Sequence, residues 1–325
     1  MSPVDGAPGL ISVVVPVYNE QDNVGPLIEG LTGVLESLGR PHEVIVVDDG
    51  STDLTATRLR EAAARFPALR AVRLRGNFGQ SAALAAGFDL ARGELVVTMD
   101  GDCQNDPADI PRLLDTLEEG YDVVSGWRRE RQDALWSRRV PSQLANALIS
   151  WITGVHLHDY GCALKVYRRE ILRDIALYGE MHRFLPALAR WVGATIAEIP
   201  VAHRPRRQGS SKYGLGRTVR VLLDLLTVKF LMSYWTRPIQ IFGLLGLCLG
   251  GAGVLLGGLL SYQKLVQRVP LANRPMLLLA VLLVLVGFQF VSIGLLGEML
   301  VRTYHESQQK PVYIIREVIS GGPAT

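Results

Sequence analysis

Leu95-Val96-Val97-Thr98-Met99-Asp100-Gly101-Asp102-Cys103-Gln104 joins an apolar run to two carboxylates separated by a single glycine. The run reads as a buried strand, and a buried strand that ends in paired acids presents them at a sheet edge. Once the chain turns, such carboxylates can project into one site. Hard cations such as Mg²⁺ and Mn²⁺ accept these oxygens together with phosphate oxygens and water. An Asp-x-Asp alone also occurs in ordinary surface loops, so its meaning rests on what surrounds it.

Working outward, the same pattern repeats. Ile11–Val15, Val44–Val47, Ala71–Leu74 and Asp122–Ser125 read as further buried strands. Between the strands, Asp22–Leu38, Thr55–Phe66, Ser81–Ala91 and Pro107–Glu118 carry helical periodicity. This alternation predicts an α/β fold, a mostly parallel sheet with helices on both faces, whose ligands bind at the carboxyl ends of the strands. The polar clusters stand at those ends: Tyr18-Asn19-Glu20, Asp48-Asp49-Gly50-Ser51, Asn77 and the acids at 100 and 102. There an acidic side chain can accept hydrogen bonds from a base and a ribose. Gly50 permits a sharp turn, and Ser51 or Asp53 can cap the next helix.

The remainder of the chain has another character. Mean hydropathy is positive, +0.20, although the net charge is only +3, which gives no footprint for nucleic acid. Cys103, Cys162 and Cys248 have no metal or redox spacing and suit a reducing cytoplasm. The first nine residues lack the basic start and apolar run of a signal peptide. Ile239–Tyr262 and Met276–Gly297 are each long and apolar enough to cross a hydrocarbon core. Basic residues flank them on both sides (Arg217, Arg220, Lys229 and Arg237 before, Arg302, Lys310 and Arg316 after), which places both ends in the cytoplasm. Lys264, Arg268 and Arg274 lie in the connector. Gly214–Trp235, with Arg217, Arg220 and Asp224 on one face, reads as a helix lying in the membrane interface. The expected organisation is a catalytic domain over 1–213, a juxtamembrane amphipathic helix over 214–237, a two-span hairpin over 238–300 and a cytoplasmic tail over 301–325. Gly246-x-x-x-Gly250 and Gly253-x-x-x-Gly257 permit close helix packing, and through it a homo-oligomer.

Taken together, Pro16-x-Tyr18-Asn19-Glu20, Val47-Asp48-Asp49-Gly50-Ser51, Asn77-Phe78-Gly79 and Asp100-x-Asp102-x-Gln104 resemble the family 2 glycosyltransferases of the GT-A fold. Within that family the chain is similar to the branch of dolichyl-phosphate mannose synthases and polyprenyl-phosphate glycosyltransferases. The resemblance covers about residues 11–213, and the hairpin adds to it. It implies that Pro16, Tyr18, Glu20, Val47, Asp48, Asp49, Asn77, Asp100, Gly101 and Arg128 bind a nucleotide sugar. Asp100, Asp102 and Gln104 would surround Mg²⁺ or Mn²⁺, with Asp102 and Asp159 as catalytic carboxylates. Arg206-x-x-Gly209-x-Ser211-Lys212 would grip an acceptor phosphate through Arg206, Ser211 and Lys212. The implied partners are a nucleotide-diphosphate sugar, polyprenyl phosphate and the inner membrane.

The chemistry agrees with that reading. A phosphate monoester is mostly a dianion at neutral pH and already nucleophilic. Orientation and charge neutralisation are then the larger demands, which favours a single inverting displacement. A processive polysaccharide synthase of the same family would carry a glutamine beside an arginine-tryptophan pair, and Ala187-x-x-Arg190-Trp191 lacks it. A non-catalytic nucleotide-sugar or lipid binder would have no need of both acids and Gln104. His156-x-His158 has no further ligand cluster beside it, and Gly214-x-Gly216 is too short for a dinucleotide fingerprint.

Overall fold

The computed structural model describes residues 7–129, 150, 154–175, 177, 181–204, 238–268, 270, 275–307 and 312–320. Two compact units divide the chain, Met1–Val228 with Pro311–Thr325, and Lys229–Lys310.

The first unit is built on one sheet. Its strands are β1 (Ala7–Val17), β2 (His42–Asp48), β3 (Leu69–Leu74), β4 (Gly93–Thr98), β5 (Val123–Trp127), β6 (Lys165–Arg168), β7 (Ile196–Pro200) and β8 (Ile315–Ser320). They lie in the order β7-β5-β6-β4-β1-β2-β3-β8. The pairs of β1 with β2, β1 with β4, β2 with β3 and β5 with β7 are parallel. β6 runs antiparallel between β4 and β5, and β8 runs antiparallel along β3. The α/β class and mostly parallel sheet follow the sequence pattern. The three strands β6, β7 and β8 do not, and β8 puts part of the expected tail into the sheet.

Helices cover both faces of this sheet. Along β1 the side chains of Ile11, Val13, Val15 and Val17 enter a core with Leu27, Ile28 and Leu31 of α1 (Val24–Ser37), Leu59 of α2 (Thr55–Arg65) and Leu113 of α4 (Ile110–Glu118). Val14 points the other way, as the two-residue period of a strand requires, and lies against Gly87 of α3 (Gln80–Leu90). Burial on both faces is why β1, β2 and β4 read as continuous apolar runs. The helix starts are set locally. Asp53 accepts from the N–H of Thr55 at 2.9 Å, and Asp106 accepts from Ala108 at 3.2 Å in the turn that leads into α4. Two further α-helices of this unit, α5 (Arg169–Arg173) and α6 (Leu185–Trp191), are short.

The second unit is a pair of helices, α7 (Pro238–Leu265) and α8 (Pro275–Ser307). Phe242–Leu265 and Pro275–Leu296 are long and apolar enough to cross a membrane. Gly246 and Gly253 of α7 face α8. A Cβ at Gly246 would sit 2.6 Å from the carbonyl oxygen of Gly287, and one at Gly253 would sit 2.8 Å from that of Ala280. Phe242 and Phe290 stack across the same seam, with centroids 6.4 Å apart. Gly246 and Gly253, read from sequence as places of close helix packing, pack within the chain. Helix α8 lies against both, where only a residue without a side chain allows so close an approach.

Candidate active site

Three loops at the carboxyl ends of β1, β2 and β4 converge. The first two are stitched together by their own polar groups. The N–H of Asn19 donates to Ser51 Oγ at 2.9 Å, Thr52 N–H returns a bond to Asn19 Oδ1 at 2.9 Å, and Glu20 N–H donates to Thr55 Oγ1 at 2.9 Å. Asn19 adopts a left-handed backbone with φ of 55°, a conformation asparagine tolerates better than most residues. Gly50 has φ of 71°, and a Cβ there would lie 2.4 Å from the Gly76 carbonyl carbon, so the turn admits glycine only.

The tandem acids of the second loop both turn into the protein. Asp48 is wholly buried: Oδ1 accepts from Ser51 N–H at 2.9 Å, and Oδ2 lies 3.5 Å from Arg73 Nε. Its carboxylate shapes the turn from inside, where the sequence suggests contact with the nucleotide. Asp49 is also buried and accepts from the N–H groups of Phe78 at 2.8 Å and Gly79 at 2.9 Å. Burial holds the Asp49 carboxyl above its usual range in spite of those bonds, and the neighbouring Asp48 charge adds to the rise. Tyr18, Glu20 and Pro16 stay partly accessible, Asn77 is exposed and Val47 is buried. The Glu20 carboxylate accepts from Asn23 Nδ2 at 2.6 Å.

The acidic loop follows β4. A Cβ at Gly101 would approach Val17 Cγ1 to 2.5 Å, so this loop is pressed against the end of β1. Gln80 Nε2 donates to Asp100 Oδ1 at 2.8 Å, and Gln104 N–H donates to Asp102 Oδ1 at 3.1 Å. Burial pushes the Asp100 carboxyl up to about 6, and the like charge of Asp102 reinforces this, while Arg128 and Lys165 pull the other way. The loop is braced from outside by Arg204, whose N–H donates to the Gln104 carbonyl at 2.8 Å and whose guanidinium pairs with Asp106.

Arg128, just beyond β5, forms a two-bonded pair with Asp159: Nε to Oδ2 at 2.6 Å and Nη2 to Oδ1 at 2.9 Å. The pair is nearly sealed, with side-chain exposures of 14% and 4%. Burial works against the Arg128 charge, but Asp159 outweighs it and leaves the guanidinium firmly protonated. Beneath lies the buried ammonium of Lys165, which donates to the carbonyls of Tyr160 and Cys162 and is held below its ordinary range by burial. Cys162 is no nucleophile, because burial pushes its thiol up to about 11. Two acids, Asp100 and Asp159, and two bases, Arg128 and Lys165, thus form one electrostatically coupled cluster at a sheet edge.

Several of these residues carry no sequence signal. Gln80, Lys165, Glu198 and Arg204 act across long stretches of chain. Only the polar positions of Lys165 and Glu198 inside short strands hint at them. His156 and His158 are exposed, and His158 Nδ1 lies 2.7 Å from Glu198, so the pair forms no metal site. Among the described residues no group of three His, Cys, Asp or Glu side chains is placed to hold a metal unaided. Arg206, Gly209, Ser211, Lys212 and the 214–237 helix lie outside the described residues.

Known proteins match this arrangement. Residues 12–176 match the family described as glycosyl transferase family 2. A dodecaprenyl-phosphate galacturonate synthase of Rhizobium johnstonii is 47% identical over 312 residues, which is 95% of this chain and 92% of that one. An undecaprenyl-phosphate 4-deoxy-4-formamido-L-arabinose transferase of Edwardsiella ictaluri is 41% identical, covering 95% of this chain and 94% of its own. Among solved structures, mannosyl-3-phosphoglycerate synthase from Rubrobacter xylanophilus aligns over 68% of this chain and 74% of its own, with a TM-score of 0.56 and 20% identity. Glucosyl-3-phosphoglycerate synthase from Mycobacterium tuberculosis, in complex with Mn²⁺, UDP and phosphoglyceric acid, aligns over 68% and 78% with a TM-score of 0.54 and 24% identity. At those identities the two structures speak to the fold, a GT-A arrangement. The curated relatives extend through the two apolar helices as well, and the chain belongs to glycosyl transferase family 2.

Proposed function

We propose that this protein transfers a sugar from a nucleotide-diphosphate donor to polyprenyl phosphate at the cytoplasmic face of the inner membrane. The observation that carries the acceptor is the likeness to polyprenyl-phosphate sugar transferases along more than nine-tenths of the chain, apolar helices included. The coupled charges at the sheet edge supply the chemistry. Donor contacts fall to Pro16, Tyr18, Glu20 and Asn77, on loops that Val47, Asp48 and Asp49 hold in shape.

Mg²⁺ or Mn²⁺ fits the acidic loop. Burial and the like charge of Asp102 work against ionisation of Asp100, and a bound cation would relieve both. Two acids with Gln104 are too few for a protein-only shell, which suits an ion completed by substrate phosphates and water. Such an ion, when bound, offsets charge on the departing nucleoside diphosphate. The Mycobacterium tuberculosis synthase of the same fold binds Mn²⁺ and UDP.

The protein's own groups account for the rest. Asp159 has both oxygens committed to Arg128, so it orients that guanidinium; proton abstraction is not its task, and a phosphate dianion needs none. Arg128 then faces the reacting phosphates with a fixed plane and charge. Arg206, Ser211 and Lys212 hold the acceptor phosphate; Arg204, two residues before Arg206 in sequence, braces the acidic loop.

Purified protein should be incubated with undecaprenyl phosphate and a panel of radiolabelled UDP- and GDP-sugars, followed by lipid extraction. One donor should label the lipid in the presence of Mg²⁺ or Mn²⁺. EDTA and Asp102→Asn should each cut labelling by about 10²-fold or more, with folding intact. Label found only in free sugar or polysaccharide would reject the reading.

A further inference from the structure

Glu198 lies in β7, the outermost strand next to β5, yet its side chain is only 10% exposed. A carboxylate so little exposed needs partners, and among the described residues they come from one short stretch. Oε2 accepts from His158 N–H at 3.0 Å and lies 2.7 Å from His158 Nδ1, and Oε1 accepts from Asp159 N–H at 3.0 Å. A second grip comes from β5. Trp127 stacks on the His158 ring, with centroids 4.3 Å apart and planes inclined by 20°. The two grips are built on one frame, since Ser125 of β5 is the register partner of Glu198 and Val201 N–H donates to the Trp127 carbonyl at 2.9 Å.

The held residue is the one that controls Arg128. The Asp159 carboxylate takes both bonds of the guanidinium fork, and its Oδ1 also accepts from Gly161 N–H at 3.1 Å. Glu198 therefore fixes the main chain at 158–159, that main chain aims Asp159, and Asp159 sets the plane of Arg128. We infer that Glu198 is a positioning residue of the active site, which sets the Arg128–Asp159 pair through the two backbone N–H groups it accepts from. This rests on the role of that pair given above. Glu198 does not touch a reacting group; it governs the angle and distance at which Arg128 meets a phosphate. A displacement near 1 Å at such a group is enough to cost about 10²-fold in rate.

Glutamine is isosteric and keeps one acceptor, so Glu198→Gln should lose part of the function and Glu198→Ala most of it. In the full-length chain in nanodiscs, hydrogen exchange at 158–161 should quicken in both variants, with the rest of the sheet unchanged. Lipid labelling from the UDP- and GDP-sugar panel should fall about tenfold in Glu198→Gln and about 10²-fold in Glu198→Ala. Binding of UDP with Mn²⁺ should stay within about twofold of the parent protein. Because one pathway is at work, Glu198→Ala should cost little more in a chain that already carries Asp159→Ala. Unchanged exchange at 158–161, or full additivity with Asp159→Ala, overturns the inference. If Asp159→Ala itself retains parental activity, the role of the pair fails instead, and exchange still decides whether Glu198 holds the segment.

Discussion

Glu43 shows at the scale of one residue how this domain balances a buried charge. It sits at the start of β2, away from the catalytic edge, and is 3% exposed. Burial opposes its ionisation, but Ser12 Oγ at 2.7 Å, Arg92 N–H at 2.7 Å and Arg92 Nε at 3.0 Å outweigh burial and leave the carboxyl below its ordinary value. A folded-state value lower than the unfolded one adds stability that is complete above about 4.5, the ordinary value, and is lost as the pH falls through the lowered one. Glu43→Gln should thus lower stability near neutral pH by about 1–3 kcal/mol. The gap from the parent should close on acidification, and denaturant unfolding at pH 7 and below pH 4 measures it. A gap that stays constant with pH would show that the charge is not what matters. The acids at the other edge of the sheet differ. Asp100 has burial and a like charge acting together, and only Gln80, Arg128 and Lys165 against them. That imbalance suits the divalent cation proposed for this loop, and the position of Asp100 after an apolar strand is why the sequence exposes it. Asp48 reads the same way in sequence but turns inward, because the loop needs its Oδ1 for Ser51 N–H.

Among elements, the contrast lies between strands that carry their own signal and strands that borrow one. β1, β2 and β4 are buried on both faces, and their continuous apolar runs announce them. β6 is four residues long with Lys165 and Arg168 at its ends, and β7 carries Glu198 at its centre. β8 pairs with a strand more than two hundred residues earlier, through Val72↔Val318 and its neighbours, which no local pattern encodes. The same reason hid Gln80, Lys165 and Glu198 from the site: each matters through a distant contact. The apolar helices were legible from length and composition, but the use of their glycines was not. Gly253→Leu should drive α7 and α8 apart, at roughly 1–3 kcal/mol, since its side chain would meet the Ala280 carbonyl and Val284. Gly257→Leu is the control, because a Cβ there meets nothing within 4 Å. Thermal unfolding in detergent should separate the two, and equal loss would refute the seam.

For the whole molecule, connectivity constrains topology. The chain leaves the catalytic unit before Pro238, passes through two apolar helices and returns to pair β8 with β3. The proposed topology of two crossings, with the connector between the helices on the far side, keeps both ends of the hairpin in one compartment, as the pairing of β8 with β3 requires. In intact cells, an impermeant thiol reagent should label a cysteine placed at Gln267 and spare one placed at Ser307; the reverse would contradict the arrangement. In the proposed reaction, Arg128 and the acidic loop release a nucleoside diphosphate while a polyprenyl phosphate takes the sugar. The most direct test is mass spectrometry of both products from one reaction of purified protein. Equal amounts of nucleoside diphosphate and of a lipid that carries one phosphate and one sugar are expected. A nucleoside monophosphate paired with a lipid diphosphate sugar would contradict that reaction.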